Sequence, residues 1–137
     1  MTSVCVYCAS STQIDDKYFR AAEELGHLIA EHGLTLITGA GKLGLMNTIE
    51  NAALEAGGKV TGVIPSFMVR EGWHHEGLTE LIETPSMHER KQTMANLSDG
   101  IIALPWGIYS TTISLLTISA FNNSSYFSIV LKYTSIN

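Results

Sequence analysis

The sequence predicts an α/β fold in three layers, in which a doubly wound parallel sheet lies between helices. Short apolar runs alternate along the chain with segments whose apolar residues recur every three or four positions. Residues 101–104 are all apolar, as expected of a strand that is buried on both faces of a parallel sheet. Small, hydroxyl-bearing or glycine residues follow three of the predicted strands, and loops at that edge of such a sheet bind ligands.

Each predicted strand is a short apolar or β-branched run, and these runs cover residues 4–8, 34–38, 59–64, 81–84, 101–104 and 126–133. The predicted helices have apolar residues at helical spacing, and these lie within residues 18–29, 45–56, 87–97 and 110–121. Asp15 or Asp16 can cap the first helix, and Gly33 stands at its end. Residues 67–78 form a polar, histidine-containing connection that can fold over a pocket. The length of 137 residues predicts one domain over residues 1–137.

The most informative segment is the glycine loop, residues 38–46, which joins the second strand to the second helix. Gly39, Gly41 and Gly44 fit the dinucleotide pattern G-x-G-x-x-G, and a glycine turn before a helix start makes a site for an anion such as phosphate. The dinucleotide pattern also needs an acid near the end of the next strand, where residues 63–66 read V-I-P-S. The loop therefore favours a phosphate-bearing ligand over NAD, and no cofactor is expected.

Composition and charge limit the partners of the chain. Eight basic residues against thirteen acidic ones give a net charge of −5, and the basic residues form no stripe, which argues against nucleic acid. The first residues lack the pattern of a signal peptide, and no apolar run is long enough to span a bilayer, so we expect a cytoplasmic protein with no membrane partner. Cys5 and Cys8 form a C-x-x-C inside a strand, where alternation puts the two thiols on opposite faces, so no metal site is expected.

Two motifs carry a resemblance to a known family. Residues 39–47, G-A-G-K-L-G-L-M-N, match the family loop G-G-G-x-x-G-L-M-G except at Ala40 and Asn47, and residues 87–91, M-H-E-R-K, match its M-H-x-R-K in full. On these motifs the chain resembles the Rossmann-like LOG ("lonely guy") proteins, which are cytokinin riboside 5′-monophosphate phosphoribohydrolases, some of them with an older lysine decarboxylase label. The resemblance runs from residue 4 to about residue 104.

The resemblance implies a Rossmann-like nucleotide-binding domain that hydrolyses the N-glycosidic bond of an adenine-type nucleoside 5′-monophosphate, giving the free base and ribose 5-phosphate. It makes Arg90 catalytic, and it implies a homodimer, for which the apolar residues 113–121 suit a helical interface. The candidate substrate contacts come from the glycine loop, the loop after the first strand, the segment that resembles L-M-x-x-E, the M-H-x-R-K motif and the residues that follow Pro105. They are Ser10, Gly39, Gly41, Gly44, Glu71, Met87, Lys91, Gly107, Ser110 and Thr111.

The chain departs from the family pattern after residue 104. The family signature P-G-G-x-G-T-x-E-E supplies a phosphate loop and a catalytic glutamate, whereas residues 105–113 read P-W-G-I-Y-S-T-T-I and contain no acid. An oxocarbenium-like transition state needs a carboxylate, and losing one such group typically costs on the order of a hundredfold in rate. Among other acids, Glu71, Glu76 and Glu83 could substitute, with Glu71 the best placed.

Two interpretations of the function therefore stay open. The chain is either a phosphoribohydrolase or a catalytically impaired relative that keeps the nucleotide pocket. In both cases residues 105–137 form a C-terminal third that is divergent and short relative to the family.

Overall fold

A five-stranded parallel sheet organises the computed structural model, which describes residues 2–8 and 12–104. The strands are β1 (Ser3–Tyr7), β2 (Thr35–Thr38), β3 (Lys59–Pro65), β4 (Glu80–Thr84) and β5 (Gly100–Ala103). The helices are α1 (Asp16–Glu31), α2 (Gly44–Glu55), α3 (Ser66–Arg70) and α4 (Met87–Leu97). The strands are hydrogen-bonded in the order β4-β3-β2-β1-β5, and every pair is parallel.

Helices cover both faces of this sheet. On one face α1 and α2 pack together, and Leu25 and Ile49 join strand residues such as Leu36 in the larger apolar core. On the other face Met94 of α4 packs against a smaller cluster that includes Cys5. The predicted α/β fold with three layers is therefore confirmed, because apolar strands buried from both sides need helices on both sides.

The strand order creates a switch point beside β1. The chain moves outward from β1 through β2 and β3 to β4, and then returns to place β5 on the other side of β1. The carboxyl ends of β1, β2 and β5 therefore lie at one edge of the sheet, and ligands of doubly wound folds bind at such an edge.

Local signals in the sequence account for the ends of α1. The Asp15 side chain accepts a hydrogen bond of 3.0 Å from the Lys17 amide, which makes Asp15 the cap and excludes Asp16 from that role. Gly33, just after the helix, has φ of 69°, a conformation that glycine adopts at little cost. Both ends of the predicted helix are thus confirmed.

The strands differ from the predicted runs by one or two residues, but the connection after β3 needs a correction. Residues 67–78 begin with the short helix α3 rather than with irregular chain, and Pro65 is the last residue of β3 as well as the residue before that helix. A five-residue helix is too short to show a helical period, so no pattern in the sequence indicates it. The predicted helix 110–121 and strand 126–133 lie outside the described residues.

The placement of the two cysteines confirms a further expectation. Cys5 belongs to the apolar cluster on the α4 side, and Cys8 belongs to the core on the α1 and α2 side, so the thiols lie on opposite faces. Within the described ranges, no helix combines the length and the apolar character that crossing a bilayer requires.

Candidate functional site

The glycine loop lies at the carboxyl edge of the sheet, between β2 and α2. Gly44 begins α2 with φ of 66°, and Leu43 before it cannot cap the helix, because its side chain has no polar atom. The first amide groups of a helix have no partner within the helix, so this start offers hydrogen-bond donors and the positive end of the helix dipole. The predicted anion site is supported by this geometry.

Gly39 and Gly41 serve close approach rather than an unusual backbone conformation, since neither has a positive φ. A Cβ atom on Gly39 would collide with the guanidinium of Arg90, and one on Gly41 would lie 2.9 Å from Sδ of Met46. The residue between them, Ala40, has φ of 60°, which is uncommon for a residue with a side chain. The left-handed conformation thus falls on the position where the family loop has a glycine.

Arg90 connects helix α4 to two strands through its guanidinium. Its Nε–H donates 2.9 Å to the carbonyl oxygen of Val63, and its Nη2 donates to the carbonyl oxygen of Gly39. The Nη1 group lies 3.6 Å from Sδ of Met87. A guanidinium has five N–H donors, so two carbonyl bonds still leave donors for an anionic ligand.

The electrostatic setting of Arg90 is that of a half-buried cation. Burial lowers the pKa of Arg90, although a guanidinium stays charged at any ordinary pH, and nearby Tyr7 acts in the opposite direction. Burial also raises the pKa of Tyr7 to about 12. Tyr7 is therefore a neutral phenol beside a fixed positive charge.

A cavity of about 420 Å³ opens between these elements, which is within the usual size range of small-molecule sites. Backbone and side chains from the glycine loop, the sheet edge, α3, α4 and the loop after α3 form its walls. They are Cys8, Gly39, Gly41, Lys42, Leu43, Met46, Ile64, Met68, Trp73 and Arg90. Among these described residues the charged side chains are Lys42 and Arg90, both cationic, so the cavity favours an anion.

The loop after α3 lies against the glycine loop. The His75 amide donates 2.8 Å to the carbonyl oxygen of Ala40, and Gly41 forms a single antiparallel bridge with His74. The ring of His75 accepts from the Gly77 amide at Nδ1 and is 2.6 Å from Oδ1 of Asn51 at Nε2, which fits a neutral ring protonated at Nε2. Burial lowers the pKa of His75 and so also favours the neutral ring.

The structure brings some predicted site residues to the cavity and leaves others at its margin. Gly39, Gly41 and Arg90 line it, and Gly44 starts the helix beside it. Glu71, Met87 and Lys91 are exposed and do not belong to the lining, although Met87 contacts Arg90. Ser10, Gly107, Ser110 and Thr111 lie outside the described residues.

Sequence reasoning missed several residues of the site. Lys42 and Trp73 line the cavity, and Trp73 is 51% exposed. Glu50 is completely buried beneath the glycine loop, where burial raises its pKa to about 8. A signal for Glu50 existed, because it lies four residues after Met46 and three before Ala53, inside the apolar face of α2. In the described part of the chain, no group of three or more His, Cys, Asp or Glu residues is placed to hold a metal ion.

Comparison with known proteins agrees with the motifs. The family model described as "Possible lysine decarboxylase" matches residues 46–133. The chain is 47% identical over 107 residues to a cytokinin riboside 5′-monophosphate phosphoribohydrolase of Rhodococcoides fascians, covering 77% of this chain and 54% of that protein. It is 41% identical over 117 residues to the enzyme of the same name, LOG5, of Arabidopsis thaliana, covering 85% of this chain and 51% of that protein. The chain thus spans about half the length of the curated relatives it matches.

Solved structures with the same fold include the Moco carrier protein of Chlamydomonas reinhardtii, with a TM-score of 0.65 and 27% identity over 80% of this chain and 65% of that one. The molybdenum cofactor binding protein of Rippkaea orientalis has a TM-score of 0.66 at 24% identity, covers 96% of this chain and 71% of its own, and shares the fold alone. These neighbours confirm the Rossmann-like architecture. Because the family model covers well over half of the chain and both motifs meet at one cavity, the chain belongs to the LOG family of possible lysine decarboxylases.

Proposed function

We propose that this chain binds an adenine-type nucleoside 5′-monophosphate in the cavity and hydrolyses its N-glycosidic bond to give the free base and ribose 5-phosphate. The observation that carries the proposal is the position of Arg90, which hydrogen-bonds the glycine loop and lines the same cavity as Lys42. The names of the relatives, cytokinin riboside 5′-monophosphate phosphoribohydrolases, support this substrate class.

The charges suggest where each part of the substrate lies. A phosphate dianion fits the start of α2, where free amide groups and the ammonium of Lys42 face it. The remaining N–H groups of Arg90 then reach the phosphate or the ribose, and the apolar wall formed by Leu43, Met68 and Trp73 is left for the base. Water adds to C1′ of the ribose while the bond from C1′ to the base nitrogen breaks, and the base leaves with a proton.

The residues at the rim of the cavity are proposed as further substrate contacts. Met87 lies against Arg90, and Lys91 is the next residue of α4 after Arg90. Glu71 is the C-cap of α3, the short helix whose Met68 lines the cavity. Gly39, Gly41 and Gly44 contribute backbone, and Ser10, Gly107, Ser110 and Thr111 remain proposed from the sequence.

A second candidate function is binding of the same nucleotide without turnover. It is favoured by one observation, namely that the cavity lining among the described residues contains two cations and no carboxylate. A developing oxocarbenium ion is positively charged, so cations alone stabilise the bound phosphate without stabilising that transition state. Residues 105–113 bring no acid from the position where the family has its glutamates.

Incubation with AMP and with isopentenyladenosine monophosphate, followed by chromatographic assay of released base, tests both candidates. Release of base that Arg90→Gln abolishes and Arg70→Gln preserves supports the hydrolase; Arg70 is a matched control because it is exposed and lies outside the lining. Calorimetric binding with no base released supports the second candidate and rejects the first. If the chain neither binds the nucleotides nor releases base from them, both candidates are rejected.

The assembly and location are proposed on weaker grounds and are tested separately. We propose a single-domain homodimer in the cytoplasm, with the apolar residues 113–121 at the subunit contact and residues 105–137 as a divergent segment. The acidic net charge of −5 supports the expectation of no nucleic-acid partner. Light scattering that gives a monomer mass at micromolar concentration would reject the dimer.

A further inference from the structure

A buried acid lies directly beneath the glycine loop and takes no part in the function proposed above. Glu50 is 0% exposed, and its Oε1 accepts a 2.7 Å hydrogen bond from the hydroxyl of Thr38, which is also 0% exposed. The same Thr38 oxygen accepts a 3.1 Å hydrogen bond from the amide of Ala40. A continuous path of hydrogen bonds thus runs from Glu50 to the backbone of the loop.

The loop residue at the end of this path is the strained one. Ala40 has φ of 60°, a left-handed conformation that is energetically unfavourable for a residue with a Cβ atom. Such a conformation persists only where surrounding contacts fix it. Here the Thr38 hydroxyl fixes the Ala40 amide, while the His75 amide fixes its carbonyl oxygen.

The orientation of this peptide affects the ligand site. The Ala40 amide belongs to the same peptide group as the carbonyl of Gly39, which is the acceptor for Arg90. If the amide turned away from Thr38, the planar peptide would turn that carbonyl away from the guanidinium. Thr38 and Glu50 therefore fix the direction of a group that positions Arg90.

The surroundings of Glu50 favour its neutral form. Its second oxygen, Oε2, is buried and has no hydrogen-bond partner among the described residues, so an ionised carboxylate would carry a largely uncompensated charge. Burial raises its pKa to about 8, with the Thr38 bond acting in the opposite direction.

Among the described residues, no cation balances the charge that Glu50 would carry when ionised. Thr38 faces Glu50 from β2, and the pKa of Cys8, which follows β1, is raised mainly by burial and further by the charge of Glu50. Ile49, the neighbour of Glu50 on α2, belongs to the apolar core together with Leu25 of α1 and Val60 of β3.

We propose that Glu50 is a positioning residue for nucleotide binding, whose neutral carboxyl acts through Thr38 to set the glycine loop and the carbonyl that orients Arg90. The inference rests on the proposed nucleotide site and adds a control on it. Ionisation of Glu50 places an uncompensated negative charge beneath the loop that holds the phosphate, so the affinity for the nucleotide falls as the pH rises past 8. Glu50 is not among the described residues that line the cavity, so this loss of affinity does not require titration of a lining residue.

The affinity for AMP between pH 7 and pH 9, measured by calorimetry on the full chain, tests the inference. The phosphate of AMP is already a dianion above pH 7, so its own ionisation does not enter. We expect the wild type to lose about tenfold in affinity over this range, and Glu50→Gln, which keeps the acceptor for Thr38 and cannot ionise, to lose less than twofold. Glu55→Gln, on an exposed position of the same helix, is the matched control and should follow the wild type.

Variants of Thr38 test the path independently of titration. We expect Thr38→Val, which has the same shape without the hydroxyl, to weaken AMP binding about tenfold at pH 7, and Thr38→Ser to restore it. Equal pH dependence in the wild type and Glu50→Gln, or normal binding by Thr38→Val, would overturn the inference while leaving the nucleotide site in place. Absence of AMP binding by the wild type at pH 7 would overturn the proposed function and the inference with it.

Discussion

The contact between Arg90 and the glycine loop leads to the sharpest prediction about stability. The guanidinium donates to the carbonyl oxygens of Val63 and Gly39, which belong to two neighbouring strand ends, and so it joins α4 to the sheet. Gly39 permits this approach because a Cβ there would collide with the guanidinium. Arg90→Gln should therefore destabilise the fold, quite apart from its effect on any ligand.

The expected size follows from the two hydrogen bonds. A hydrogen bond from a charged donor contributes about 1.5–3 kcal/mol, so the pair contributes about 3–6 kcal/mol before costs. Part of this is offset, since burial lowers the pKa of Arg90 and thus shows that the charged group loses solvation on folding. The amide of glutamine can also bond one carbonyl. We expect a net loss of about 2–3 kcal/mol in the free energy of unfolding.

A double-mutant cycle with Gly39→Ala isolates the contact. Both single variants break the same bond, so their losses in urea unfolding should not add, and the double variant should be more stable than the sum predicts by about 1 kcal/mol or more. Arg70→Gln on an exposed position should stay within about 0.5 kcal/mol of the wild type. Additive losses, or an Arg90→Gln variant as stable as Arg70→Gln, would refute the reasoning.

Three further predictions concern stability. Gly26→Ala puts a Cβ 2.7 Å from the carbonyl oxygen of Ile49, where α1 packs against α2. Thermal melting should therefore show a loss of about 1–2 kcal/mol in the free energy of unfolding. Asp99 accepts hydrogen bonds from the Thr2 and Ser3 amides, and these lower its pKa. Its stabilising effect is therefore present above its ordinary pKa and disappears as the pH falls through the lowered one, so unfolding curves of Asp99→Asn and wild type should differ at pH 7 and converge in acid. Glu50 should have the opposite effect on the pH dependence of stability, because its pKa is raised. The free energy of unfolding of the wild type, relative to that of Glu50→Gln, should fall from pH 5 to pH 8 by up to about 1.4 kcal/mol per pH unit. Stability profiles that run parallel for the two proteins would contradict a neutral buried acid.

The sheet could be predicted because its signals are local and repeated. Each strand is a short apolar run, and each helix of three turns or more shows its period over enough residues to be recognised. The end signals of α1, Asp15 and Gly33, act within one turn and need no tertiary information. Among the elements of the described residues, only α3 was not predicted, because its five residues span little more than one turn.

The site could be predicted only where a motif marks it. The glycine loop and the M-H-x-R-K motif lie about fifty residues apart in the chain, and the resemblance alone indicated that they meet at one ligand. The reason that Gly39 must be a glycine is a tertiary contact with Arg90, which no local pattern contains. The same holds for Trp73, which reaches the cavity through the fold of the loop after α3.

Glu50 shows a different limit of sequence reasoning. A carboxylate within the apolar face of a helix conflicts with the pattern around it, and such conflicts are expected at functional or strained positions. The strain here is at Ala40, ten residues earlier, where the family loop has a glycine that would adopt the same φ at little cost. Thr38 hydrogen-bonds to both unusual residues, the buried acid Glu50 and the left-handed Ala40, so the two are explained together rather than separately.

In the proposed function, binding of the nucleotide and hydrolysis of its glycosidic bond need charges of opposite sign. Cations and amide groups stabilise a bound phosphate, and the described cavity supplies Lys42, Arg90 and the start of α2. Breakage of a glycosidic bond needs a carboxylate instead, and the family signature P-G-G-x-G-T-x-E-E supplies one. Residues 105–113, which align with that signature, contain no acid. The proposed affinity for a nucleoside monophosphate therefore depends on residues that this chain retains, whereas the proposed hydrolysis needs another carboxylate, for which Glu71 is the best-placed candidate by resemblance.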